Sequence, residues 1–187
     1  MTIMRSAFAL ALLASAAACA APAHRDATGP AHTQEAITAE SERLNDWFEQ
    51  KFDEAVARDP MRQTFLGIKD RYSEWTDPSE AFERAELEIQ RADVAEMQAA
   101  FDFARLDSQT HLSWRLAEYE LERAEAALPY REHSYTFNQM FGVQSAIPAF
   151  LINQHKVTSA PDAEAYIARL RGAVSYTHLR AHETKAN

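Results

Sequence analysis

Histidines and carboxylates are the side chains with which this sequence could perform metal or acid–base chemistry. Before residue 174 the histidines stand singly, and they are His24, His32, His111, His133 and His155. No two are four residues apart and none follows a Glu by three, so they form neither a paired-His zinc helix nor the E-x-x-H of a di-iron bundle. The sequence therefore predicts no catalytic residue, no cofactor-binding residue and no metal ligand of its own.

A run of glutamates is the other candidate for metal or acid–base chemistry. Its members are Glu118, Glu120, Glu122 and Glu125. Glu118 and Glu122 are neighbours at i, i+4 on a helix, and Arg115 and Arg123 lie within reach of them. This charge pattern is typical of a solvated helix face, and we interpret the run as such a face.

An amide-rich segment, Phe137 to Gln144, holds the residues best suited to contact a ligand. The candidates for lining a cleft are His133, Asn138, Gln139 and Gln144. Two interpretations stay open: the amides bind a peptide-like backbone, or they satisfy buried backbone groups in a packed loop. We favour the loop, and for His133 a structural role, because no nucleophile or second ligand accompanies it.

Composition excludes several function classes. The chain has 187 residues and only four glycines, which are too scattered to build a dinucleotide- or phosphate-binding loop. Acidic residues outnumber basic ones by 28 to 19, for a formal net charge of −9, which argues against nucleic acid as a partner.

Apolar spacing between the two ends predicts an all-α fold, a helical array. Glycine and β-branched residues are scarce, and apolar residues recur every three or four positions. Leu112, Leu116, Tyr119 and Arg123 form one such stripe. The expected helices run from Ile37 to Pro60, Met61 to Leu66, Asp77 to about Leu106, Asp107 to Pro129, Ala146 to Gln154, and onward from Ser159.

The amino-terminal end has the order of a secretory signal. Arg5 precedes a short apolar run and small residues follow, which predicts a signal peptide over residues 1–18 and a flexible tether over 19–36. Cys19, the only cysteine, lies where bacterial lipoproteins are lipidated, although Ala16 stands where that motif usually has Leu. We expect export to the periplasm with a lipid anchor in the outer membrane; ordinary cleavage after an A-x-A site is the alternative.

The carboxy-terminal residues 174–187 have a different character. The segment VSYTHLRAHET resembles one reading frame of the transposase adapter used in short-read library preparation. We therefore interpret 174–187 as an adapter translation and 37–173 as the helical domain. His182-Glu183 begins like H-E-x-x-H, but Ala186 replaces the second ligand.

Several landmarks resemble one bacterial family, the domain-of-unknown-function family number 885. The similarity covers roughly residues 40–172 and is most specific over 137–170. Its landmarks are Asp59-Pro60, Thr64-Phe65-Leu66-Gly67, Asn138-Gln139-Met140-Phe141-Gly142 with Gln144, Pro148-Ala149-Phe150-Leu151, and the run from Asp162 to Leu170.

The resemblance implies a parent protein that is exported, largely helical and similar to zinc metallopeptidases with H-E-x-x-H in the carboxy-terminal half. We expect this sequence to be a truncated amino-terminal part, inactive by itself, with zinc and peptide substrate belonging to the full-length protein. Its partners would then be peptide, the missing half of its own chain, and a membrane reached only through the lipid. The alternative is a non-catalytic helical periplasmic binding or interaction module.

Overall fold

The computed structural model describes residues 32–133 and 135–183, and Cys19 with the predicted signal lies outside them. The described residues contain α-helices, short 3-10 helices and no strand, which confirms the predicted all-α helical array. The α-helices are α1 Gln34–Arg58, α2 Pro60–Phe65, α3 Glu80–Ala100, α4 Ser108–Ala127, α5 Val143–Asn153 and α6 Ala160–Glu183. The 3-10 helices are Phe103–Arg105 and Leu128–His133.

Helices α1, α3 and α4 enclose the first hydrophobic cluster. Its buried members are Leu44, Val94, Met97, Leu106 and Trp114. Polar contacts reinforce the α1–α3 contact, since Lys51 of α1 lies 2.9 Å from Asp93 and 3.0 Å from Glu96 of α3. These three helices form the frame of the groove described below.

Helix α5 forms the second cluster with α2, α6 and the loop after α2. Val143, Ile147, Phe150 and Leu151 are its buried members. Met61, Trp75 and Tyr166 pack against them from three other parts of the chain. Helix α5 is the most apolar of the long helices, and its four buried residues pack against Tyr166 of α6.

Helix α1 begins earlier and α3 ends earlier than the sequence predicts. Thr33 caps α1, so residues 34–36 of the predicted tether are helical. Helix α3 ends at Ala100 and not near Leu106, because the backbone N–H of Asp102 donates to the buried Glu40 at 2.9 Å. The Asp102 carboxylate then caps the following 3-10 helix, which competes with continuation of the α-helix.

Helix starts are predicted well where the cap residue is unambiguous. Asp107 accepts from the N–H of Thr110 at 2.7 Å and caps α4, as expected. For α3 the expected cap, Asp77, is wrong: Ser79 accepts from Phe82, while Asp77 accepts from the N–H of Ser79. Pro78 therefore precedes the helix and does not occupy its first turn.

The apolar stripe expected to bury α4 faces solvent. Leu112, Leu116 and Tyr119 are 61%, 54% and 55% exposed, whereas Trp114 and Thr110 are buried. The inward face of α4 is thus rotated from the predicted one, because the large indole of Trp114 fills the space beside Leu44 and Met97.

The observed start of α5 differs from the predicted one, whereas the start of α6 agrees with the prediction. Helix α5 begins at Val143, three residues before the predicted Ala146, so Pro148 lies inside the helix. Helix α6 begins at Ala160, and Ser159 accepts from the N–H of Asp162, as the capping pattern predicts. None of the described helices combines the length and apolar character needed to cross a bilayer.

Candidate functional site

Asn138 organises the amide-rich loop that precedes α5. Its Oδ1 accepts from the backbone N–H groups of Met140 and Phe141 at 2.9 and 2.6 Å, and its own carbonyl accepts from Nε2 of Gln144 at 2.5 Å. These bonds satisfy backbone groups within the loop itself. Two of the predicted cleft residues, Asn138 and Gln144, are therefore brought together and are engaged in local structure.

The other two predicted cleft residues lie apart from this pair. His133 is exposed at the end of a 3-10 helix, with its ring 5.5 Å from that of Tyr130. Gln139 is exposed at the tip of the loop beside Phe141, which is 82% exposed. The loop thus presents apolar side chains to solvent but no convergent set of polar groups.

A concave groove lies between α1, α3 and α4 and has a volume of about 670 Å³, within the range of ligand-binding clefts. None of the four predicted cleft residues lines it. Its apolar lining consists of Ala55, Phe82, Leu87, Ile89, Ala124, Ala127 and Leu128, and its polar lining of Arg58, Arg62, Glu83, Glu86, Gln90, Asp93 and Arg131. We refer to it as the α1–α3–α4 groove.

Ion pairs neutralise the carboxylates of the groove. Arg58 donates to both oxygens of Glu86, at 2.7 and 3.1 Å, and Glu86 raises the pKa of the Arg58 guanidinium. Arg131 donates to Glu83 at 2.7 Å, and Asp93 lies 2.9 Å from Lys51. Each acid in the lining therefore has a cation beside it.

Arg62, at the edge of the groove, differs from the other two arginines. Its guanidinium lies 5.1 Å from the centroid of the Phe52 ring, and among the described residues no carboxylate lies within ion-pair distance of it. The Phe52 ring holds the guanidinium without neutralising its charge. The lining of the groove thus contains three arginines and three acids, so its formal charge is balanced, and Arg62 is a lining cation with no carboxylate beside it among the described residues.

A second, fully buried polar centre surrounds Arg169 of α6. The side chain has 0% exposure and donates to the carbonyl of Glu74 at 3.0 Å and to Oγ1 of Thr64 at 2.7 Å. It also donates to the carbonyl of Pro60 and to His155. Its acceptors are all neutral, and burial lowers the pKa of the guanidinium to about 10.

Aromatic rings enclose this cation. The Arg169 guanidinium lies 5.3 Å from the ring centroid of Tyr72 and 5.0 Å from that of Phe150. Tyr72 stacks on His155 at 3.9 Å and donates its hydroxyl to the carbonyl of Lys156. These contacts join α2, α5, α6 and the loop after α2 into one unit, which is a structural role for the centre.

Asp162 extends the same centre towards the surface. One of its carboxylate oxygens accepts from Nζ of Lys69 at 2.8 Å and from the backbone N–H and hydroxyl of Thr158. These donors hold the pKa of the Asp162 carboxyl well below its usual range, with the Lys69 bond as the largest cause. The start of α6 is thereby fastened to the loop after α2.

The sequence carried one signal for this centre. Asp162, Tyr166 and Arg169 follow one another at four- and three-residue spacing, which places them on one face of α6. Tyr166 packs against α5, so Arg169, on the same face of α6, is expected to be buried as well. What the spacing could not supply was the set of partners, because they come from distant parts of the chain.

The predicted glutamate face on α4 agrees with the structure. Glu118 accepts from Gln98 at 2.7 Å, Glu120 pairs with Arg123 at 3.3 Å and Glu125 with Arg91 at 2.6 Å. Within the part of the chain that the structure describes, no three His, Cys, Asp or Glu side chains are grouped so that they could hold a metal ion.

Fold and surface together define an all-α protein with the α1–α3–α4 groove on its surface and a buried polar centre around Arg169. Comparison with protein families matches residues 60–186 to the family described as "Bacterial protein of unknown function (DUF885)". The chain belongs to that family, as its sequence landmarks indicated. No curated protein and no solved structure matches the chain.

The family match also bears on residues 174–187, because it extends to residue 186. In the structure α6 continues to Glu183, and Tyr176 stacks on Trp75 with ring centroids 5.0 Å apart. The origin of this segment as an adapter translation stays a prediction. Sequencing the source DNA past the codon for Ala173 tests it, and an uninterrupted genomic frame would contradict it.

Proposed function

We propose that this chain is the non-catalytic, peptide-binding helical part of an exported, zinc-dependent peptidase-like protein. The observation that carries the proposal is the α1–α3–α4 groove, with an apolar lining and paired charges at its edges. Peptides bind such grooves through side chains placed on the apolar surface, while polar groups at the edge orient the backbone. Family membership is compatible with the proposal and leaves the function itself open.

Zinc enters the proposal only through the resemblance of the sequence to metallopeptidases. The described residues offer no group of three ligands for it, so the zinc and its catalytic glutamate would be supplied by sequence outside this chain. The role left for residues 32–183 is to bind and orient peptide beside that centre.

Peptide binding is tested with substitutions that fill the groove. Ala127 lines it and is exposed, so Ala127→Phe places a ring in the groove without disturbing the core. Ala126 is its exposed neighbour on α4 and does not line the groove, which makes Ala126→Phe the matched control.

Fluorescence polarisation of a fluorescein-labelled octapeptide with a central leucine measures the affinity. We expect saturable binding that Ala127→Phe weakens at least about fivefold, because a blocked apolar site loses roughly the transfer free energy of one side chain. Ala126→Phe is expected to leave it unchanged. Absence of saturable binding, or equal affinities for the two variants, would contradict the proposal. Added zinc chloride is expected to produce no hydrolysis of the octapeptide by this chain.

A helical binding module without catalysis anywhere in its protein is the alternative. Both versions use the same groove, so peptide affinity does not separate them. The complete gene does: H-E-x-x-H followed by a later acidic residue supports the peptidase-like protein, and its absence supports the binding module.

Export and lipid anchoring at Cys19 form a separate part of the proposal, supported by the amino-terminal sequence alone. Labelling with radioactive palmitate in a bacterial host is expected to mark the protein, and Cys19→Ala is expected to abolish the label. A mature protein without lipid, cleaved after an A-x-A site, would favour simple secretion.

A further inference from the structure

We infer that the α1–α3–α4 groove selects peptides in which an apolar side chain is followed by a carboxylate, and that Arg62 binds that carboxylate. This inference rests on the proposed peptide-binding function and adds the class of ligand. The occupant is a peptide segment with Leu, Met or Phe beside Glu or Asp.

The apolar half of the ligand follows from the lining of the groove. Phe82 and Ile89 of α3 are half-buried and line it opposite Ala127 of α4. Alanines on the α4 side leave room that a leucine-sized side chain can occupy. A volume of about 670 Å³ suits a few residues of peptide and is small for a folded partner domain.

The anionic half follows from the balance of charge around the groove. Glu83, Glu86 and Asp93 are each paired with a cation, so none of them is available to a basic ligand. Among the described residues, Arg62 has the face of the Phe52 ring and no carboxylate beside it, so its guanidinium donors are available to a ligand. A guanidinium binds carboxylate through two parallel N–H bonds, which gives it a geometric preference that a lysine lacks.

The protein's overall charge does not favour acidic ligands, so this assignment rests on the contact with Arg62 itself. With a net charge of −9, the chain repels acidic peptides at long range, so binding of one requires a local positive site. Preference for an acidic peptide would therefore be specific to the groove. It would also weaken with salt, because the guanidinium is exposed.

The test uses labelled octapeptides that differ at one position. The first has Leu-Glu at its centre, the second Leu-Gln and the third Ser-Glu, each with blocked ends so that no terminal charge contributes. We expect Leu-Glu to bind roughly threefold to tenfold more tightly than Leu-Gln at low salt, the range of an exposed charge-assisted contact. Ser-Glu is expected to bind weakly because it lacks the apolar side chain.

Arg62→Gln and Arg171→Gln complete the test. Both arginines are exposed and both substitutions remove one positive charge, but Arg171 lies on α6 and does not line the groove. We expect Arg62→Gln to bring the affinity for Leu-Glu down to that for Leu-Gln, and Arg171→Gln to keep the difference. A circular dichroism melt of each variant confirms that it is folded.

The outcomes separate the inference from the function on which it rests. If Leu-Glu and Leu-Gln bind equally, and Ala127→Phe weakens both, the groove binds peptide and the carboxylate preference is wrong. The same conclusion follows if Arg62→Gln leaves the difference intact. If neither peptide binds saturably, the proposed function itself is wrong.

Discussion

Arg169 donates a hydrogen bond from its guanidinium to Nδ1 of His155 across 3.1 Å. Because arginine has no acceptor, Nδ1 must be unprotonated, and the ring carries its proton on Nε2, which donates to the carbonyl of Asp162 at 3.1 Å. His155 is therefore held neutral, as one fixed tautomer, between a cation and a backbone carbonyl.

This arrangement makes the fold sensitive to acid. Burial lowers the pKa of His155 below its ordinary value of 6.5, and the charges of Arg169 and Lys69 act in the same direction, against the opposing influence of Asp162. As the pH falls through about 6.5, the imidazole of His155 takes up a proton in the unfolded chain but stays neutral in the folded chain. The contribution of neutral His155 to the free energy of unfolding is fully present above that pH. It is lost as the pH falls towards the lower pKa that His155 has in the folded chain.

The measurement compares melting temperatures at pH 7.5 and pH 5.5. We expect the wild-type chain to lose more stability over this interval than His155→Gln, which has no imidazole to titrate. His133→Gln is the control, because His133 is exposed, and it should keep the wild-type difference. An equal pH effect in His155→Gln and wild type would show that the buried ring does not titrate with folding.

Loss of the buried guanidinium is expected to be severely destabilising. Arg169→Met removes the donor to Oγ1 of Thr64 and to Nδ1 of His155, and both of these acceptors belong to buried residues. Each buried unsatisfied group costs about 1–3 kcal/mol, so the free energy of unfolding should fall by about 3 kcal/mol or more. Urea denaturation measures this change.

Two further variants sharpen this prediction. Arg169→Lys should recover little of the loss, since an ammonium group cannot reach the acceptors that the planar guanidinium bridges. Arg171→Met, on the exposed side of the same helix, should change the free energy of unfolding by about 0.5 kcal/mol or less. A fully stable Arg169→Met would mean that the centre contributes no net stability.

Local patterns predicted the helices because the information lies within a few residues. Asp107 and Ser159 cap α4 and α6 as expected, and Gly67, at a φ of +80°, ends the short second helix. The end of α3 escaped prediction since it depends on Glu40, 62 residues away. The spacing of apolar and capping residues along the chain does not indicate such a long-range contact.

The same distinction explains which site residues were predicted. Asn138 and Gln144 are six residues apart and their contact follows from a local motif. The partners of Arg169 lie 14 to 109 residues away from it, and the groove takes its lining from several helices. Such sites form only when the helices pack, so a sequence pattern indicates their members singly and not as a group.

Gly142, the one glycine of the amide-rich loop, is expected not to tolerate a side chain. An added Cβ would lie 2.5 Å from the backbone nitrogen of Asn138 and would also overlap the Gln144 side chain. Gly142→Ala should therefore displace the loop and cost about 1–3 kcal/mol, the usual range for overpacking. Gln139→Ala, at an exposed position, should be neutral within about 0.5 kcal/mol in the same urea experiment. Equal stabilities would show that the loop accommodates a methyl group.

The outward stripe of α4 gives the final prediction. Leu112 and Leu116 are 61% and 54% exposed, so Leu112→Gln and Leu116→Gln should each change the free energy of unfolding by about 0.5 kcal/mol or less. Trp114 lies in the first hydrophobic cluster against Leu44 and Met97, and Trp114→Ala should cost about 3–5 kcal/mol. Chemical denaturation of the three variants separates the two faces of the helix. A large loss from either glutamine substitution would place the predicted stripe, and not Trp114, on the buried side.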